Sequence, residues 1–123
     1  MQVLTLAGVK KAARDYYQRG KLTARHKDPL KRECVYHMRG GYRCAIGAAL
    51  TRSSINKIDA MSLNRNTDVY GLLNAKIISC KLAEMLPIRA IQKSHDSWVY
   101  GTRRNENKFR QAIGLKPLKK GKK

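Results

Sequence analysis

Leu6, Val9, Ala13, Tyr16 and Tyr17 recur at three- and four-residue spacing near the start of the chain, while Lys10, Lys11, Arg14 and Gln18 fall on the opposite side. That period predicts an amphipathic helix with an apolar inner stripe and a basic outer face. Thr5 is placed to cap its start and Gly20 to close its end. The period is lost over residues 21–33, which are polar, contain Asp28-Pro29, and read as a connector with room for one helical turn. Their positive charge makes them a candidate phosphate-contacting loop.

In the stretch Cys34 to Cys44, two short β-prone runs flank Gly40-Gly41, whose tolerance of positive φ suits a tight hairpin turn. A two-stranded hairpin is marginal alone, so it must lie against helices. The run Arg43-Cys44-Ala45-Ile46-Gly47-Ala48-Ala49-Leu50 follows, the longest stretch of small apolar residues in the chain. Small side chains let backbones approach closely, so this run is expected to be the packing hub, helical from Ala45 to about Thr51 or Arg52. Ser53 or Ser54 is expected to cap a short helix through Ile55, Ile58 and Met61, with a break at Asn64-Arg65-Asn66. A longer helix is then expected from Asp68 to about Met85, with Val69, Leu72, Leu73, Ile77 and Cys80 as its stripe. Pro87 interrupts it and suits the first turn of the next helix, in which Ile88, Ile91, His95, Trp98 and Val99 recur until Gly101. A last amphipathic helix, from about 103 to 114, turns Phe109, Ala112 and Ile113 inward.

These elements predict a mostly α protein: a compact single-domain bundle of about five helices with one small β-hairpin near residues 34–44. Residues 1–115 form the domain and residues 116–123 a flexible, lysine-rich tail. A chain of 123 residues with 42% hydrophobic content is long enough for one modest core and too short for two.

Charge changes the picture from fold to partner. Lys and Arg number 27 against 8 Asp and Glu, a formal charge of +19, and self-repulsion on that scale opposes a compact state unless a polyanion relieves it. The first 43 residues carry +8, residues 44–100 carry +3 and residues 101–123 carry +8. A near-balanced middle between two cationic ends suits a core that holds out a contact surface for DNA or RNA. No apolar run approaches the roughly 20 residues of a membrane span, and the basic pair Lys10-Lys11 follows the apolar start where a secretory signal would have it precede. Three cysteines without a CxxC pair fit a reducing compartment, so a cytoplasmic protein with no cofactor is expected.

The candidate nucleic-acid contacts are Lys10, Lys11, Arg14 and Arg39 toward the N-terminus, and Arg103, Arg104, Asn107, Lys108, Arg110, Gln111, Lys119 and Lys120 toward the C-terminus. The helix over 88–100, the turn at Gly101 and the basic helix after it have the outline of a helix-turn-helix, although phosphate binding by the same charged face is the favoured account of them. Tyr36, Tyr42, Tyr70 and Tyr100 lie near basic residues and could stack on unpaired bases, or fill the core of a protein poor in Phe and Trp.

Two chemistries are weighed against these. Cys44 enters the hub helix, whose N-terminus would lower a thiol pKa, and His95-Asp96 could supply a base and its orienter. Adjacent residues on a helix point about 100° apart, however, so Asp96 is poorly placed to hold its neighbour's imidazole, and a packed histidine with a structural cysteine is the simpler reading. A zinc site from His26, Cys34, His37 and Cys44 is disfavoured on a strand, where three-residue spacing sends Cys34 and His37 to opposite faces. No catalytic or metal residue is therefore expected.

The hub from Arg43 to Leu50, followed by Ile91-Gln92-Lys93-Ser94-His95-Asp96-Ser97-Trp98, resembles a pattern in small bacterial and bacteriophage proteins of uncharacterised function. Those carry a Cys-x-x-Gly-Ala/Cys-Leu hub and a later His-Asp or Asn-Asp pair, usually followed by an arginine and a final helix, which Arg103 or Arg104 and the last helix fit. The resemblance covers about residues 36–113, implies a small helical domain of phage or bacterial origin, and transfers no activity. Where the pair is Asn-Asp no histidine chemistry exists, and this chain departs from the pattern in its high positive charge. The expected function is that of a nucleic-acid-binding accessory or regulatory protein. The alternatives are an interaction protein docking on a host nucleoprotein machine and, third, a cysteine enzyme using Cys44 and His95.

Overall fold

The computed structural model describes residues 1–65 and 67–118. Among these the order is β1 (Gln2–Val3), α1 (Leu6–Gln18), β2 (His37–Met38), β3 (Tyr42–Arg43), α2 (Arg52–Ala60), α3 (Val69–Asn74), β4 (Ile78–Ser79), α4 (Leu82–Val99) and α5 (Arg103–Ala112). The architecture is mostly α, with five helices around one hydrophobic core and a small antiparallel hairpin where Gly40-Gly41 forecast it. Both glycines take positive φ, 93° and 81°. Lys119 and Lys120 lie outside the described residues.

α1 forms as its period dictates. The Thr5 side chain accepts the Gly8 amide at the N-cap, and Val9, Ala13 and Tyr17 are buried. α4 and α5 pack closely, joined through Trp98 stacked on Phe109 at 5.4 Å, with the Tyr17 ring of α1 5.7 Å from Trp98. Arg14 of α1 donates to the Ile113 carbonyl at the end of α5 (2.8 Å), and the Tyr17 hydroxyl donates to Glu106 while accepting from Arg110. The three helices are thus locked by one aromatic cluster and its polar rim.

Four expectations are corrected. The hub is not an α-helix: Gly47–Ala49 form one 3-10 turn, and Leu50 is already extended. Its form follows from close approach, since a Cβ on Gly47 would lie 1.9 Å from the Tyr36 carbonyl oxygen. Thr51, rather than Ser53 or Ser54, caps α2, accepting the Ser54 amide. Residues 68–85 are not one helix. α3 ends at Asn74, Lys76 takes a left-handed φ of 60°, and Ile78–Ser79 become a strand parallel to Gln2–Val3. The β-branched Ile77-Ile78 pair is at home in a strand, and its partner lies 76 residues away, beyond the reach of local periodicity. Finally, Pro87 lies inside α4 rather than opening a helix. The carbonyl it leaves without a donor belongs to Ala83, which is exposed, so water can replace the missing bond.

The hub, the hairpin strand and the following loop are cross-tied by side chains. Gln2 donates to the Ala49 carbonyl and accepts from Thr51 N and Ser54 Oγ. Asn64 Oδ1 accepts the Tyr36 and His37 amides, and its amide nitrogen donates to the His37 carbonyl. The Tyr36 hydroxyl donates to the Thr67 carbonyl at 2.6 Å and accepts from Gln92, whose oxygen accepts the Val69 amide. Gly47→Ala is expected to destabilise the fold by about 3 kcal/mol, the upper range for a methyl forced into a packed site. Urea unfolding measures it, and unchanged stability would show that the close approach is not a constraint.

Candidate functional site

Two pockets flank the backbone at residues 34–38. Val35 lines both.

The first is a basin of about 670 Å³ rimmed by Arg19, Arg39, Arg43, Arg52 and Arg65, with Tyr16, His37 and Tyr42. Distant parts of the chain bring these together: the end of α1, the hairpin, the start of α2 and the loop after it. Arg19 stacks on Tyr16 (4.7 Å from guanidinium carbon to ring centre) and pairs with Asp15. Arg43 donates to the Gly47 and Leu50 carbonyls, both at 2.9 Å, and so holds the hub turn. Arg65 pairs with Glu33. Arg39 and Arg52 are exposed and have no hydrogen-bond or ion-pair partner among the described residues. The one acid in the lining, Asp59, is engaged by His37 Nε2 at 2.8 Å.

The second pocket is larger, about 870 Å³, and its character is opposite. Asp68, Asp96, Gln92, Asn74, Thr67, Tyr36, Cys34 and Cys44 contribute polar atoms, and among the described residues no Lys, Arg or His lines it. Burial pushes the Cys44 thiol up to about 12, although Gly47 N–H donates to its sulfur at 3.2 Å. Burial pushes Cys34 up to about 12 as well, with the Asp96 charge adding to the effect. Both are neutral thiols at physiological pH, unlike an activated nucleophile.

His95 is fully buried between Trp98 and Phe109, with ring centres 6.1 and 5.6 Å away, and neither ring nitrogen has a hydrogen-bond partner. Asp96 comes closer than helix geometry suggested, with Oδ1 3.5 Å from His95 Nδ1, short of a hydrogen bond. The ligands weighed for zinc are engaged separately: His26 Nδ1 accepts the Asp28 amide, His37 faces Asp59, and the Cys34 thiol points to the Asp96 carbonyl. Among the described residues no group of three or more His, Cys, Asp or Glu could hold a metal ion.

The residues singled out from sequence divide into three sets. Arg39 sits in the basin. Arg103, Arg104, Lys108 and Gln111 are exposed on α5, and Lys11 on α1, with Lys10 half-buried; none of these lines the basin. Arg14, Asn107 and Arg110 are half-buried and serve the fold: Asn107 accepts the Leu118 amide, and Arg110 donates to Tyr17 and to the Lys116 carbonyl. α5 follows α4 through residues 100–102, with Asn105 accepting the Thr102 amide at its start. Of the tyrosines, Tyr36 is core, Tyr42 and Tyr70 are half-buried under Lys21 and Arg89, and Tyr100 is exposed.

Arg19, Arg43, Arg52 and Arg65 were not singled out from sequence. Only Arg43 carried a readable signal, since a turn at Gly40-Gly41 places it beside His37, on the strand after Arg39. Comparison with protein-family models, curated proteins and solved structures returns no match. No helix among the described residues is long and apolar enough to cross a membrane.

The raised thiols have a signed consequence. The unfolded chain releases the Cys44 proton near the ordinary value of 9.0, whereas the fold retains it to about 12. Stability is therefore complete below the ordinary value and falls as pH rises above it. Cys44→Ala is expected to flatten that alkaline decline by up to about 1.4 kcal/mol per pH unit, read by urea unfolding from about pH 8 to about pH 11. An unchanged slope would mean that the thiol is not shielded.

Proposed function

We propose that this protein is a nucleic-acid-binding accessory or regulatory protein of phage or bacterial type, contacting DNA or RNA phosphates through its cationic surface. The observation that carries this reading is the basin. Five guanidiniums gather around one concavity, three of them held by Asp15, Glu33 and two backbone carbonyls, and the acid in the described lining, Asp59, is engaged by His37; the remaining cations form a surface suited to phosphate oxygens. Among the described residues, Arg39 and Arg52 have no partner to give up on binding. The exposed cations of α1 and α5 extend the positive field and steer encounter.

Phosphate contact fits α5 better than base reading in a groove. Asn107 and Arg110, two of the side chains suited to base edges, spend their polar atoms on Leu118, Lys116 and Tyr17. The α4–α5 outline then serves to present charge.

Affinity for a short oligonucleotide is expected to fall by about a thousandfold between low and moderate salt if about six phosphates are contacted. Replacing Arg39 and Arg52 together by Ala should weaken binding by about tenfold or more and reduce the salt slope by about two contacts, without loss of fold. Fluorescence anisotropy across a salt series checks both. Absence of binding even in dilute buffer would overturn the reading, and an unchanged slope in the double variant would remove the basin from it.

A further inference from the structure

We propose that the pocket beside the arginine basin receives an unpaired nucleobase bearing an exocyclic amino group, while the basin holds the phosphate of the same strand. The inference rests on the nucleic-acid reading above and adds what that reading leaves open, a preference among bases.

Charge is segregated across a single strand of backbone. In a chain with 27 basic residues the larger pocket has no cation in its lining among the described residues, yet Val35 belongs to its wall and to that of the basin. A phosphate on one side and a ring on the other are separated by one residue's thickness of chain. A ring that leaves its stack needs apolar contact for its faces and hydrogen-bond partners for its edge. Leu63 and the half-exposed Met61 supply the first.

The edge partner is Asp96. The other carboxylate in the pocket, Asp68, is already occupied: it accepts the Gly71 amide and lies 3.5 Å from Arg89. The Asp96 side chain is 37% exposed, and its carboxylate shares its surroundings only with the weak donor of the Cys34 thiol and with the His95 ring among the described residues. Behind it stands His95, with no exposed surface and no partner on either ring nitrogen, its Nδ1 3.5 Å from Asp96 Oδ1. Gln92 is held from two sides, by Tyr36 and by the Val69 amide, so it forms a fixed polar floor.

An acceptor-only carboxylate selects the edge it meets. The amino groups of cytosine, adenine and guanine donate to it, as a carboxylate does with cytosine N4 in duplex readout. Uracil and thymine present a carbonyl oxygen at the equivalent position, which opposes the carboxylate and leaves only N3–H to donate, so they bind more weakly. A volume of about 870 Å³ accommodates a base with room for its sugar.

The test compares short oligocytidine and oligouridine of equal length, with wild-type protein and two variants, by fluorescence anisotropy at one low salt concentration. Wild type is expected to bind the cytidine strand about tenfold more tightly than the uridine strand. Asp96→Asn, which adds donors that suit the uracil carbonyl, is expected to abolish or reverse that ratio. Its fold is checked by urea unfolding. The Arg39→Ala/Arg52→Ala variant is expected to weaken both strands equally and preserve the ratio. Equal binding of the two strands by wild type, or a ratio that survives in folded Asp96→Asn, overturns the base pocket and leaves the phosphate reading standing. Failure of wild type to bind either strand overturns both.

Discussion

The structure depends on one close contact. The backbone at Gly47 passes so near the Tyr36 carbonyl that no side chain larger than hydrogen fits between them. This presses the hub turn against residues 34–38, which are also held through Tyr36 by Asn64, Thr67 and Gln92. That segment is the partition between the two pockets. A looser hub would let the partition shift, and the segregation of charge on its two faces would blur.

A second theme is how so cationic a chain folds at all. With 8 acids for 27 bases, most guanidiniums cannot find a carboxylate. The fold gives them carbonyls and rings instead. Arg14, Arg25, Arg32, Arg43 and Arg110 each donate to a backbone oxygen, mostly where a turn or helix ends and acceptors are in surplus. Tyr16, Tyr17, Tyr42 and Tyr70 lie under cations. The arginines therefore do two kinds of work: some close the ends of elements, and others, Arg39 and Arg52 among them, are left to the surface.

What was legible in the sequence follows from range. α1, the Gly40-Gly41 hairpin and α5 are specified by neighbours within a few residues, through Thr5, the glycine pair and the Phe109–Ile113 stripe, and they form as expected. Ile78–Ser79 were misread because their strand exists only through pairing with Gln2 and Val3. A stripe through Ile77 and Cys80 has a helical period by coincidence of spacing. The hub was recognised as a place of close approach but not as a single 3-10 turn, since the Tyr36 carbonyl that dictates its shape is a tertiary neighbour. The basin was legible only at Arg39 for the same reason. Its five arginines span positions 19 to 65, and no window of sequence contains them. Arg14, Asn107 and Arg110 show the converse, since helical periodicity placed them on an outer face where the ends of neighbouring elements claim them.

The parallel pairing of Gln2–Val3 with Ile78–Ser79 also sets an order of events during synthesis. Gln2, which stitches the hub to α2, cannot be fixed in place by its strand until the ribosome has released the segment after α3. Residues 2–3 can thus settle into their strand only after residues 78–79 have been made. The basic first helix is therefore made well before the strand that closes the sheet beside it.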